Sequence, residues 1–189
     1  MDLRRQRNIT GSAFLAVILA TGASHEAPVF VVAPTTLDNF SAVANDRVDT
    51  LAIPILTREA IARLGSCGFS VIHTDSTPVM PGEGPSYLFE HADVAAAWGA
   101  AHHADWVLVG RLNRFGPWEA DWEMQVVSVA ERRLVNTRVV ELKGFGLDSG
   151  LTAHLANRGA AWLMDQVTQS VVHASSPADS TVNPRPCRA

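Results

Sequence analysis

The run Trp106-Val107-Leu108-Val109 narrows the choice of fold more than any other segment. Four consecutive apolar residues suit a strand covered on both faces, as in a sheet flanked by helices. Residues 120–129 follow a different rule. There Trp122, Met124 and Val126 point one way and Asp121, Glu123 and Gln125 the other, the period of a half-exposed strand. Ala130-Glu131-Arg132-Arg133 makes a turn into Leu134–Leu142, so these two strands form an antiparallel hairpin.

Upstream, Pro28–Val32 reads as the first strand. Asp46 can cap a helix reaching Leu64, with Ile53, Leu56, Ala60 and Leu64 on one face and Arg58, Glu59 and Arg63 elsewhere. Pro54 either opens the regular helix or kinks it, and Gly65 is expected to stop it. Phe69–His73 is a second strand, and Thr74–Ser86, with three prolines and two glycines, is a loop. Glu90–His102 is an alanine-rich second helix. Thr152–Gln169 is a third, with Leu155, Leu163 and Val167 apolar and Trp162 beside them. The order β-α-β-α-β-β-β-α implies an α/β (α+β) domain: a single mixed sheet with helices packed on it.

The ends of the chain carry different signals. Three arginines within Met1–Asn8 precede the uncharged run Ala13–Ala20, and Thr21-Gly22-Ala23 supplies small residues. These are the three parts of a cleavable secretory signal. Cleavage is expected after Ala23, with Gly22 as the second choice. The uncharged stretch of ~17 residues is the bottom of the range for a retained membrane anchor, which is the alternative. The expected layout is a signal peptide at 1–23, one domain at 24–173 and a disordered tail at 174–189, rich in Ser, Pro, Asp and Asn. No stable membrane span is expected after cleavage.

Composition excludes one class of partner. The formal charge is −4, and removing Arg4, Arg5, Arg7 and Asp2 with the signal leaves −6. Nucleic-acid binding needs a basic footprint that displaces counterions from phosphates, and here the arginines are scattered and Lys143 is the only lysine.

Few residues advertise chemistry. His102, His103 and Asp105, with His91 one helix-length before, are the candidate metal ligands. Adjacent helical residues point about 100° apart, however, and no H-x-x-x-H or C-x-x-C spacing accompanies them. Solvated histidines near the negative end of a helix are the alternative. Asp148, Ser149 and His154 supply triad residue types without a nucleophile elbow, and Asp148 or Ser149 fits a helix cap better. Cys67 and Cys187, the only thiols, either bridge in an oxidising compartment or stay apart, Cys67 partly buried and Cys187 idle. Phe115-Gly116-Pro117-Trp118-Glu119 puts aromatics at a loop tip. Phe115, Trp118 and Trp122 are therefore candidates for a partner-binding surface, the alternative being that the tryptophans pack under neighbouring helices.

The segment Gly99–Gly110, ending His103-Ala104-Asp105-Trp106-Val107-Leu108-Val109-Gly110, resembles an uncharacterised family of small exported bacterial proteins that read "L-A-x-x-x-G-A-D-Y-V-L-V-G". The likeness continues through the hairpin into Lys143-Gly144, Asp148-Ser149, Arg158 and Leu163, covering about Ala92–Met164. The family's domain is similar to the amino-terminal domain of TolB and to curli-secretion-type periplasmic domains, which are assembly and interaction modules. The resemblance also implies an association with periplasmic quinoprotein alcohol dehydrogenases. The chain departs from the family at His103, where the family has a glycine past the helix end, a position that favours a left-handed backbone. It departs again at Ser128, Glu131 and Arg132, which replace an Asp and a Thr-Gly turn and leave the turn type open.

The expected function is a non-catalytic periplasmic module that binds another periplasmic or envelope protein through the aromatic loop Phe115–Trp122 and an exposed sheet edge. No cofactor is implied. The alternative is a small-molecule or metal-binding accessory protein with a concave pocket beside His91, His102, His103 and Asp105.

Overall fold

The computed structural model describes residues 27–41, 47–75, 86–116, 119–143 and 149–175. The expected signal peptide lies outside them, as does the expected tail beyond Ser175. In chain order the elements are β1 (Val29–Val32), β2 (Thr36–Asn39), α1 (Arg47–Ser66), β3 (Ser70–His73), α2 (Tyr87–Glu90), α3 (Ala92–Ala101), β4 (Trp106–Arg114), β5 (Glu119–Ser128), β6 (Arg133–Lys143) and α4 (Ser149–Ser175). They build one mixed six-stranded sheet in the order β3-β1-β4-β5-β6, with β2 also paired to β4. Strands β3, β1 and β4 run parallel, whereas β4, β5 and β6 form an antiparallel meander.

Two elements escape the hydrophobic pattern. Short β2 pairs with the second half of β4, Thr36 opposite Arg111 through Asn39 opposite Arg114. It therefore continues the track of β1 along the same neighbour. Between them the chain jogs at Ala33–Thr35, where Thr35 is buried, its N–H donating to Thr57 Oγ1 at 3.1 Å. Gly110 on β4 makes room, since a Cβ there would lie 2.9 Å from Thr35 Oγ1. The other unexpected element, α2, is a single turn that His91 separates from α3.

Helices cover both faces of the parallel half, which explains the unbroken apolar run in β4. Phe30, Val32, Leu108 and Leu112 face α1 and α4, with Leu56, Leu64, Leu163 and Met164 packed on them. Val31, Val107 and Val109 face the opposite way, against Phe89, Ala95, Ala96 and Trp98 from α2 and α3. In β5 the alternation holds as expected: Trp122, Met124 and Val126 join the α1/α4 core, and Asp121, Glu123 and Gln125 stay half-buried on the other face. Burying each large apolar side chain contributes about 1.5–3 kcal/mol.

Helix ends follow from backbone geometry. At α3, Ala104 N–H reaches Gly99 O at 3.1 Å and His103 N–H reaches Ala100 O at 3.0 Å, with His103 at φ 55°. That is a Schellman ending, with His103 in the left-handed position that glycine usually fills. The same pair of bonds closes α1, but there Gly68 holds the left-handed φ of 88° and Gly65 lies inside the helix. Gly68, not Gly65, is the stop. Helix α1 runs through Pro54 rather than starting at it. In the β5–β6 turn Arg132 also has positive φ, 52°, and Glu131 N–H donates to Ser128 Oγ at 3.2 Å.

Candidate functional site

The histidines do not converge. His91 and His102 each turn back on their own helical turn: Nδ1 donates to Tyr87 O at 3.0 Å and to Trp98 O at 2.8 Å, respectively. The His91 ring stacks on Tyr87 at 4.1 Å, and the His102 ring meets Trp98 edge-on at 4.9 Å. His103 is exposed at the helix end. Asp105 acts as a clasp, since its carboxylate accepts Val29 N–H at 2.8 Å while its own N–H donates to Val29 O at 2.9 Å. Among the described residues no group of three or more His, Cys, Asp or Glu is placed to hold a metal ion. The four candidate ligands thus finish helical turns and fasten the start of β1.

The aromatic loop divides. Trp122 is fully buried, at 0% exposure, within the α1/α4 core, which removes it from the candidate partner surface. Its place on the apolar stripe of β5 turns it to the same face as Met124 and Val126, and α1 and α4 cover that face. Trp118 lies outside the described residues. Phe115 is 51% exposed and acquires an unexpected companion in Phe40, itself 65% exposed. Their rings stack at 5.8 Å with an interplanar angle of 13°. Backbone geometry holds the pair: Phe40 N–H donates to Arg114 O at 2.8 Å, extending the β2–β4 ladder, and Phe115 N–H donates to Glu119 O at 3.1 Å. Two large apolar rings thus sit side by side in water at the end of the sheet, 75 residues apart in sequence. Only the pairing of β2 with β4 reveals them as neighbours.

A polar network on the α2/α3 side also escapes sequence reasoning. Arg111 Nη2 lies 3.0 Å from Glu123, and Nη1 lies 3.5 Å from Glu90 and 3.6 Å from Asp38. The guanidinium sits 4.1 Å above the centre of the Phe89 ring, a cation–π contact. Asn113 Nδ2 joins at 3.2 Å from Glu123, and Ser86 Oγ donates to Asp38 at 2.8 Å. The sequence pattern ends this strand at Val109, because polar residues follow. In the structure β4 runs on to Arg114 as a strand whose α2/α3 face turns polar.

Separately, a hollow of about 330 Å³ lies beyond the carboxyl ends of β1 and β3. The helices that next follow these neighbouring parallel strands in the chain, α1 and α2, pack on opposite faces of the sheet, and crevices in α/β folds form at such points. Pro34, Ile53, Pro54 and Ile61 line it, with His73 Nε2 and Asp75 Oδ1 3.1 Å apart at its edge. It is not lined by His91, His102, His103 or Asp105. Cys67, just past α1, is disulfide-bonded; the chain's other cysteine, Cys187, lies outside the described residues.

Comparison with known protein families and with curated proteins finds no match to this chain. Solved structures do resemble it. The PelC dodecamer from Paraburkholderia phytofirmans matches with 15% identity and a TM-score of 0.41, over 72% of this chain and 86% of that one. TolB from Acinetobacter baumannii matches with 11% identity and a TM-score of 0.43, over 78% of this chain but 29% of that one. The hypothetical protein CT253 from Chlamydia trachomatis matches with 9% identity and a TM-score of 0.50, over 77% of this chain and 99% of that one. The similarity to the Chlamydia protein is one of fold: the chain shares its mixed α/β architecture.

Proposed function

We propose that this chain is a non-catalytic accessory module of the bacterial envelope that binds another envelope protein. The observation that carries the reading is the exposed Phe40–Phe115 stack. Exposed aromatic rings held rigidly by backbone bonds lose little entropy on docking, and aromatic anchors supply much of the energy of protein interfaces. The leader-like segment at 1–23 and the disulfide at Cys67 support an exported, oxidising setting. The resemblance of Gly99–Gly110 extends the proposal to a periplasmic quinoprotein dehydrogenase system as the setting.

The test is capture from periplasmic extract by the wild-type chain and by a Phe40→Ser, Phe115→Ser double variant with an unchanged circular dichroism spectrum. A protein retained by the wild type and lost by the variant is expected. Equal capture by both sinks the aromatic surface, and identification of the captured protein decides the quinoprotein setting.

A second reading, a small-molecule-binding accessory protein, is favoured by the hollow beside Pro34 and Ile53. Native mass spectrometry of the chain isolated from its host reads it directly: a bound small molecule is expected, and a bare chain counts against it.

A further inference from the structure

One face of the β4–β5–β6 half concentrates negative charge. Directly opposed residues on neighbouring strands share a face. The register places Asp38, Asn113, Asp121 and Glu141 in one row across β2, β4, β5 and β6. The next row holds Thr36, Arg111, Glu123 and Val139. Glu119 opposes Lys143 at the rim, and Glu90 reaches in from α2. Among the described residues, six carboxylates therefore face two cations, and both cations are already engaged: Arg111 by Asp38, Glu90 and Glu123, Lys143 by Glu141 at 3.0 Å. Asp121 has no cationic partner among the described residues. Burial, followed by repulsion from Glu141, Glu123 and Glu119, holds its carboxyl above the usual range.

Three further features bear on what this face takes. Asn113, at 8% exposure, sits between Asp38 and Asp121, and its Oδ1 is buried with no donor. Flipping the amide does not help, because Nδ2 is fixed by its bond to Glu123. An acceptor surrounded by carboxylates is satisfied by a cationic N–H donor. Val139 and Leu134 stand 48% and 38% exposed on β6, and Val139 in the second row gives an apolar floor suited to the methylene stems of long basic side chains. Finally, β6 is an edge strand, paired with β5 on one side among the described residues. Its outer backbone groups can accept another strand.

We infer that the acidic face of the β5–β6 hairpin, together with the open edge of β6, docks an extended cationic segment of a partner protein. The inference rests on the protein-binding reading above and adds the chemistry of the partner. A segment laid along β6 presents alternate side chains to this face, so a long basic side chain set beside Glu141 reaches that carboxylate and Asp121 behind it in the same row, while the side chain two positions along lies over Val139.

The test is the fluorescence anisotropy of a labelled Arg-Thr-Arg-Thr-Arg-Thr amide titrated with the full chain at low salt. Saturable binding is expected, weakened ~10-fold or more by Asp121→Asn with Glu141→Gln and left unchanged by Asp93→Asn with Glu59→Gln. Absence of saturable binding, or equal loss in the two double variants, overturns the inference. Equal binding of Arg-Arg-Arg-Thr-Thr-Thr overturns the extended register, and complete displacement by equimolar spermidine assigns the face to free polyamines instead. Aromatic-dependent capture that survives a negative peptide result keeps the envelope-partner proposal and removes only its cationic partner.

Discussion

His103 occupies a left-handed backbone position at φ 55° where a Cβ crowds the chain. Replacing it with glycine relieves that strain at some entropic cost in the unfolded state, for a net gain of about 0.5–1 kcal/mol. Urea unfolding of His103→Gly is expected to show a higher midpoint at unchanged slope. Asp121 makes a pH-dependent prediction. Its pKa in the folded chain lies above the ordinary value of 3.8, so ionisation favours unfolding. The stability associated with its proton is full below pH 3.8 and is lost as pH rises through the folded pKa. Asp121→Asn should therefore melt at a higher temperature than wild type at pH 7, and the two melting temperatures should converge as pH falls below 3.8. A melting difference that is constant with pH would rule out the buried, ionised carboxylate as the cause.

Elements meet here through small residues at particular places. Gly99 lets α3 lie directly on the sheet, since a Cβ there would fall 2.5 Å from Val107 Cγ2 and 2.6 Å from Val129 Cγ2. Gly99→Ala forces the helix away from β4 or bends both valines out of their rotamers, a cost of about 1–3 kcal/mol. Thermal or urea unfolding measures it, and a loss below the range would mean that the helix can shift at little cost. Gly110 serves the β1–β2 jog in the same way. The hydrophobic pattern anticipates the strands and helices that carry apolar stripes, because burial of a face leaves a period of 2 or 3.6 in the sequence. It passes over β2, four half-buried residues with no apolar stripe, and it ends β4 too early because Arg111 and Asn113 are polar. Both segments are held by ladder bonds and cross-strand ion pairs, which need no hydrophobic period.

For the whole molecule, Cys67, at the end of α1, is disulfide-bonded. We propose Cys187 as its partner, closing a loop of about 120 residues, worth ~3–5 kcal/mol in the chain-entropy model. A non-reduced digest should contain one peptide joining Cys67 and Cys187, and Cys67→Ser should lose stability of that order. Two separate peptides would refute the pairing. The proposed contact surfaces both lie on the β2–β4–β5–β6 part of the sheet, the aromatic pair at its end and the acidic face along the hairpin.

The sequence alone determines which residues of β1, β4 and β5 are apolar, and that Trp122 shares a face with Met124 and Val126. Each is a local consequence of residue type or of side-chain period. Tertiary structure alone decides that Trp122 is capped by helices rather than by a partner, that Phe40 lies against Phe115, and that Asp38, Asn113, Asp121 and Glu141 form one row. Those juxtapositions depend on which strands pair and in what register. A strand's own sequence encodes its faces, but not the neighbour that will lie across from it.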